Sequence, residues 1–295
     1  MQIAFAFTSL TVAAQMLVVG LSFSPGVVAQ IVQSPRDLLR ASLAILVLVP
    51  ITALVLVSLL PLPPAVAAGL AILAAVPAAP VSTRRSMVAG ADTEYVAAIQ
   101  FIMAIAAVAF TPLVIAMFRE TLEMPIRVAP LDVIVQISKM TLAPLIAGIV
   151  LRRLAPSLVD RHRAMIARIA DFMLLALLVG VALALVFMQQ FRMDLMIGWI
   201  GAAAAALMAV AALAGGHLLG GPTQRRRSGL AIASLARNLG LALYITELSP
   251  EALSAAPTIL SYALIGGVVA IPYSIWAERH NAVNGPEKLH SYNVS

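Results

Sequence analysis

Apolar residues in this chain come in runs of about twenty, with neither the alternation of half-buried strands nor the one-sided stripe of soluble helices. Crossing about 30 Å of hydrocarbon at about 1.5 Å per residue takes roughly 20 apolar residues in a helix. Runs of that length lie near 2–22, 37–60, 64–89, 92–118, 130–151, 165–189, 194–219, 225–247 and 252–277. The pattern predicts an all-α membrane protein of about nine transmembrane helices. Residues 1–278 are expected to form a single transmembrane domain and residues 279–295 a polar cytoplasmic tail. The opening stretch, Met1 to Ser24, reads as a retained first span and not as a signal peptide, because no Lys or Arg precedes Arg36 and the run is too long.

Two of the runs are interrupted. The third contains Pro77-Ala78-Ala79-Pro80-Val81-Ser82-Thr83, where two prolines withdraw backbone donors and polar side chains follow. The eighth contains Ser234-Leu235-Ala236-Arg237-Asn238-Leu239-Gly240, a charge and an amide inside an otherwise apolar segment. Each break is followed by a short loop and one long span, so spans 2 to 4 resemble spans 7 to 9 in layout. An odd number of spans separates the two breaks, which inverts the second unit relative to the first. Paired broken helices in inverted halves are the pattern of secondary transporters, whose sites form where the breaks meet.

Composition agrees with the spans. Hydrophobic residues make up 62% of the chain and charged residues 11%, against roughly 45–50% and about 25% in soluble domains, so most of the surface must face lipid or protein. There is no cysteine, which excludes disulfides and thiolate-bound metals. The net charge of +6 does not point to nucleic acid, because the basic residues punctuate the apolar runs and form no continuous surface. Fourteen of the 19 lysines and arginines fall on one face, at 36–40, 84–85, 152–168, 225–227 and 279–288. Basic residues mark cytoplasmic loops, so the N-terminus is expected outside and the C-terminus inside a plasma (inner) membrane. Motifs for a zinc hydrolase, a phosphate-binding loop or a prenyl-diphosphate site are absent, and an enzyme is not expected.

Arg237 is the most conspicuous candidate residue, since a guanidinium within an apolar span costs at least about 2.5 kcal/mol. Either it binds an anionic substrate or replaces a cation among the freed carbonyls, or it is structural, capping those carbonyls or pairing with Asp92 or Glu94. Asn238 can offer its amide to a substrate or satisfy the unwound backbone. Ser82 and Thr83 can coordinate a cation or substrate oxygen or cap the break locally. Gln100, an uncharged polar group within the fourth span, is expected to face protein. Lys139 is expected to snorkel. Asp171 suits proton coupling or a pair with Arg168, and His217 fits an interfacial role.

These residues, together with Met16-Leu17-Val18-Val19-Gly20-Leu21-Ser22, Ser34-Pro35, Pro50, Pro64, Pro80, Asp92, Thr111-Pro112, Lys139, Pro144 and Asn238-Leu239-Gly240-Leu241-Ala242, resemble the bile-acid:sodium symporter family over nearly the whole chain. The resemblance implies a core domain with two crossing discontinuous helices (about 37–118 and 194–278) and a panel domain (about 1–24 and 128–190). It also implies the nine-span form of the family, lacking the first helix of ten-span members. The Glu-x-Gly-x-Gln-Asn run of sodium-coupled members falls here on Ala233, Leu235, Arg237 and Asn238. Their Ser-Asn pair falls on Ser82 and Thr83, a hydroxyl of the following span on Gln100, and a glutamine of the second span on Ile45. The sodium site is therefore degenerate at Ser82, Thr83, Ala233 and Arg237.

A guanidinium near such a site would repel sodium by roughly 4 kcal/mol at 4 Å and an effective dielectric of 20. The expectation is a secondary transporter of a small organic anion, a bile-acid-like or other carboxylate or sulfonate, with Arg237, Asn238, Ser82, Thr83 and Gln100 as substrate-binding candidates. No cofactor is expected, and coupling to protons or plain uniport takes the place of sodium. The alternative is a membrane sensor or binding subunit on the same scaffold. The sequence pattern sets no oligomeric state.

Overall fold

Apolar runs in lipid leave the backbone no hydrogen-bonding partner but itself, and among the described residues the chain is helical throughout. The computed structural model describes residues 2–23, 25–77, 81–122, 130–187, 198–247 and 250–283. In chain order, α1 is Gln2–Leu21 and α2 is Pro25–Gln33. Helix α3 runs Pro35–Leu59, α4 is Pro64–Ala75 and α5 is Val81–Val88. Helix α6 is Thr93–Leu122, α7 joins Pro130–Ile137 to Ala143–Leu154, and α8 is Pro156–Phe187. Then follow α9 (Gly198–Leu219), α10 (Gln224–Leu235), α11 (Leu239–Glu247) and α12 (Ala256–Val283).

Six segments among the described residues are long and apolar enough to cross a membrane: Pro35–Leu59, Thr93–Thr121, Leu131–Leu154, Gly198–Leu219, Gln224–Thr246 and Ala256–Ala282. Ala6–Leu21 and Pro64–Ala75 are shorter apolar helices. Three details depart from the sequence expectation. Helix α2 stands between the first two expected spans, where the apolar runs predicted no helix. The 152–164 interval is helix on both sides of Ala155, so α8 begins well before its apolar run. Helix α12 continues to Val283, because Asn281 is buried and its Nδ2 donates to the Ala89 carbonyl (2.8 Å) and to Ser228 Oγ (2.9 Å).

Helices α3 and α7 each contain a wide π turn, at Leu43–Leu48 and Ser138–Leu142. Both precede a proline, Pro50 and Pro144. A proline inside a helix has no N–H and crowds the carbonyl one turn back, and a π bulge relieves the crowding by shifting the register by one. The shift is explicit in α7, where the Ala143 N–H bonds to the Ser138 carbonyl five residues earlier. In α3 the same register places the Ile45 carbonyl opposite Pro50, which has no hydrogen to give. That carbonyl needs a partner from elsewhere.

Small residues set the closest approaches. A Cβ at Gly20 would lie 2.2 Å from the Leu145 carbonyl oxygen, and one at Gly148 would lie 2.5 Å from the Leu17 oxygen. Helices α1 and α7 thus touch backbone to backbone, the usual device where lipid supplies no hydrophobic drive. Helix α8 packs on α1 and α7, while α9, α10 and α12 pack together and α10 also meets α5 and α6. Helices α4 and α10 are buried over most of their length, every residue from Val66 to Ala75 and from Ser228 to Leu235 lying inside.

Candidate functional site

The two sequence breaks meet. Helix α4 stops at Ala75 and α10 at Leu235, and the Asn238 N–H donates to the Val76 carbonyl at 3.3 Å. Residues 78–80 of the first break lie outside the described residues. A helix that stops in the interior exposes its last carbonyls, and at the second break nearly every one can be accounted for. The Ile232 carbonyl accepts from Ala236 N–H (3.1 Å), the Ser234 carbonyl from Arg237 Nη2 (2.7 Å), and the Leu235 carbonyl from the Tyr262 hydroxyl (3.0 Å). Asn238 starts the next helix, its Oδ1 accepting from Leu241 N–H (3.1 Å) and its carbonyl from Ala242 N–H (2.9 Å).

Arg237 is 3% exposed and supplies the partner that Pro50 denies to Ile45. Its Nη1 and Nη2 lie 3.4 and 3.5 Å from the Ile45 oxygen, and the Tyr262 hydroxyl is a further hydrogen-bonding neighbour. The guanidinium is thus held between carbonyls of α10 and α3, with a tyrosine beside it. None of the ion pairs among the described residues involves Arg237. The suggested pairing with Asp92 does not occur: Asp92 Oδ1 caps the Tyr95 N–H (3.0 Å), and Asp92 Oδ2 faces Arg226 Nε (3.7 Å). Arg226 also holds Asp37 at 3.0 Å, so that cluster is complete without Arg237. Ala233 is buried one turn before Arg237 and presents only a methyl group.

A second polar cluster sits just beyond the first break. The Ser82 and Thr83 hydroxyls both donate to Gln100 Oε1, at 3.1 and 2.8 Å. Gln100 is 2% exposed, and its Nε2 has no partner among the described residues. An unsatisfied buried amide costs on the order of 1–3 kcal/mol, a cost that a ligand oxygen would remove. Ser82, Thr83 and Gln100 therefore come together as one group, and Arg237, Asn238 and Ile45 as another.

A cavity of about 730 Å³ lies where α1 and α8 face α5 and α6. Thr83 reaches its wall, beside Ala97, Ala98 and Phe101 of α6. Arg237, Asn238, Ser82 and Gln100 do not line it. The opposite wall carries Gln15 from α1 and Arg163 and Asp171 from α8. Its lining mixes apolar groups such as Val18, Val19, Val28 and Phe101 with a few polar ones, the makeup of a site for an amphipathic small molecule.

Two residues of these clusters and the cavity escaped the sequence reading. Gln15 is 8% exposed, lines the cavity and has an Nε2 without a partner among the described residues. Its signal was available, because an amide within an otherwise apolar first span needs the same explanation as Gln100. Tyr262, which closes the second break, left no signal, since a lone tyrosine in a span is ordinary. Of the remaining candidates, Lys139 is exposed, Asp171 is a cavity residue, and His217 Nδ1 lies 2.8 Å from the Tyr273 hydroxyl beside Trp276.

The sequence model described as the Sodium Bile acid symporter family matches residues 9–199. No individual curated protein matches the chain. The matched stretch includes the first break, Ser82, Thr83, Gln100 and every residue lining the 730 Å³ cavity, and it covers more than half of the 295 residues. The chain is therefore a multi-pass membrane protein that belongs to the sodium bile acid symporter family of secondary transporters.

Proposed function

We propose that this protein carries a small organic anion across the membrane by alternating access, and that the Arg237 guanidinium does the work of a bound sodium ion. The observation that carries this is the position of Arg237. It is buried between the carbonyls of Ser234 and Ile45, on the breakpoint of α10, where a cation among freed carbonyls would otherwise sit. Ala233, one turn away, supplies no carboxylate to hold a second cation. A fixed charge keeps the break neutralised in every state of the cycle, so the transporter runs as a uniporter or with protons, and Asp171 in the cavity is the group placed to exchange them.

In this reading the nine spans form an inverted repeat. The core contains the two broken helices, α4–α5 and α10–α11, and the panel contains α1, α7 and α8. The cavity between them is the substrate site, in a state open to the face that carries Arg152, Arg153 and Arg163, which positive charge marks as cytoplasmic. The protein sits in the inner membrane with its N-terminus outside.

Uptake into liposomes with sodium replaced by choline tests the ion assignment: transport is expected to change by less than about twofold, and a steep sodium requirement would sink it. The cavity assignment has its own test. Gln15→Leu keeps the shape of the wall but removes the donor, so it is expected to raise the Kd for the transported anion by about 5- to 100-fold without lowering thermal stability. An unaltered Kd would remove Gln15 from the site.

A further inference from the structure

Beside the substrate cavity lies a second, smaller hollow of about 410 Å³, formed where the end of α1 meets the end of α7 and the start of α8. Leu21, Phe23 and Ile149 give it an apolar side, and three guanidiniums reach it: Arg152, Arg153 and Arg163. One carboxylate, Asp160, answers one of them through a hydrogen-bonded ion pair with Arg152. Arg153 and Arg163 have no ion-pair partner among the described residues. Cations near the end of α7 are explained by the helix dipole alone. Arg163 is not, since it comes from the second turn of a different helix and still converges on the same hollow.

We propose that this arginine pocket binds a phosphate group presented at the membrane surface. Guanidinium forks match phosphate oxygens and can share one tetrahedral group among several side chains, whereas a carboxylate offers two coplanar oxygens. The apolar side fits the hydrocarbon of a lipid, and basic pockets between spans on the positively charged face are where anionic headgroups dock. Soluble phosphate presents the same chemistry without the acyl chains. A phosphate here bridges the ends of α1, α7 and α8 next to the mouth of the cavity, which shares Ser22, Phe23 and Arg163 with the pocket. This inference does not rest on the transported anion or on the role of Arg237.

Thermal unfolding of the purified full chain tests it, with phosphatidylglycerol, phosphatidylcholine and inorganic phosphate as the three probes. Phosphatidylglycerol is expected to raise the Tm and phosphatidylcholine is not. The double variant Arg153→Gln with Arg163→Gln, both at exposed positions, is expected to raise the phosphatidylglycerol concentration needed for the same Tm rise roughly 25-fold, at about fivefold in affinity per surface arginine. A rise with inorganic phosphate that the double variant also loses supports the pocket and makes soluble phosphate its ligand. Arg119→Gln removes an exposed charge elsewhere and is expected to keep the wild-type response. The proposal is overturned if neither phosphatidylglycerol nor inorganic phosphate shifts the Tm, if the double variant responds like the wild type, or if Arg119→Gln loses as much.

Discussion

Arg237→Met is expected to lower the stability of the protein by about 2–4 kcal/mol and to abolish transport. The side chain is replaced by one of similar length, so packing is nearly kept. What is lost is the donor to the Ser234 and Ile45 carbonyls, each of which then stays buried without a partner at about 1–3 kcal/mol. Relief from burying a charge offsets part of that, which sets the upper bound. Thermal unfolding in detergent and uptake into liposomes read the two effects. Arg237→Lys keeps the charge but not the fork, and is expected to fall between the wild type and Arg237→Met on both measures.

The pair Ala233→Glu with Arg237→Gln sharpens the same idea, because it installs the carboxylate and amide that the resemblance assigns to these positions in sodium-coupled members. It is expected to give a Tm that rises with sodium and not with choline. A wild-type Tm and wild-type uptake for Arg237→Met would show that the guanidinium is dispensable, and the cation-replacement reading would fall with it.

Gly240→Leu is expected to stop transport without unfolding the protein. A Cβ at Gly240, on α11, would lie 2.1 Å from Val12 Cγ2 on α1, so this contact exists only because the position has no side chain. The same helix α1 borders the open cavity farther along its length, through Gln15, Val18 and Val19. One end of the α1 seam is therefore shut by the Val12–Gly240 contact while the other is open. A leucine forces the shut end apart, at a cost of about 1–3 kcal/mol to the present state. That is a 5- to 150-fold shift toward the opposite one.

The absence of native cysteine makes the shift directly readable by thiol labelling. With Ala97→Cys in the cavity wall as reporter, labelling from the cavity side is expected to slow at least fivefold when Gly240→Leu is added. Unchanged labelling together with unchanged uptake would mean that the Val12–Gly240 contact is not a gate.

The apolar runs and the prolines already marked the six long apolar helices and both interruptions, since the chemistry there is local. Twenty apolar residues have one way to satisfy their backbone in lipid, and a proline or an arginine in such a run marks itself. Ser82, Thr83 and Gln100 were each legible as candidates, and the family resemblance placed them in one site; their hydrogen bonds bring them together across a single helical hairpin. The sequence also stated that Arg237 needs compensation. It left the partner open, and only the tertiary structure decided between carbonyls and a carboxylate.

The reason is that the partners are main-chain oxygens, Ser234 at 2.7 Å and Ile45 at 3.4 Å, the second far away in the chain within a π turn ahead of Pro50. No side-chain pattern records a backbone carbonyl. Asn238 is similar: its identity left open a substrate contact or a partner for the unwound backbone, and in the structure its Oδ1 caps α11 while its N–H reaches the Val76 carbonyl. The cavity itself, the role of Gln15 in its wall and the Val12–Gly240 contact depend on which faces of α1 meet α5, α6 and α11. Those are matters of packing between distant segments, which one-dimensional periodicity in a uniformly apolar helix does not encode.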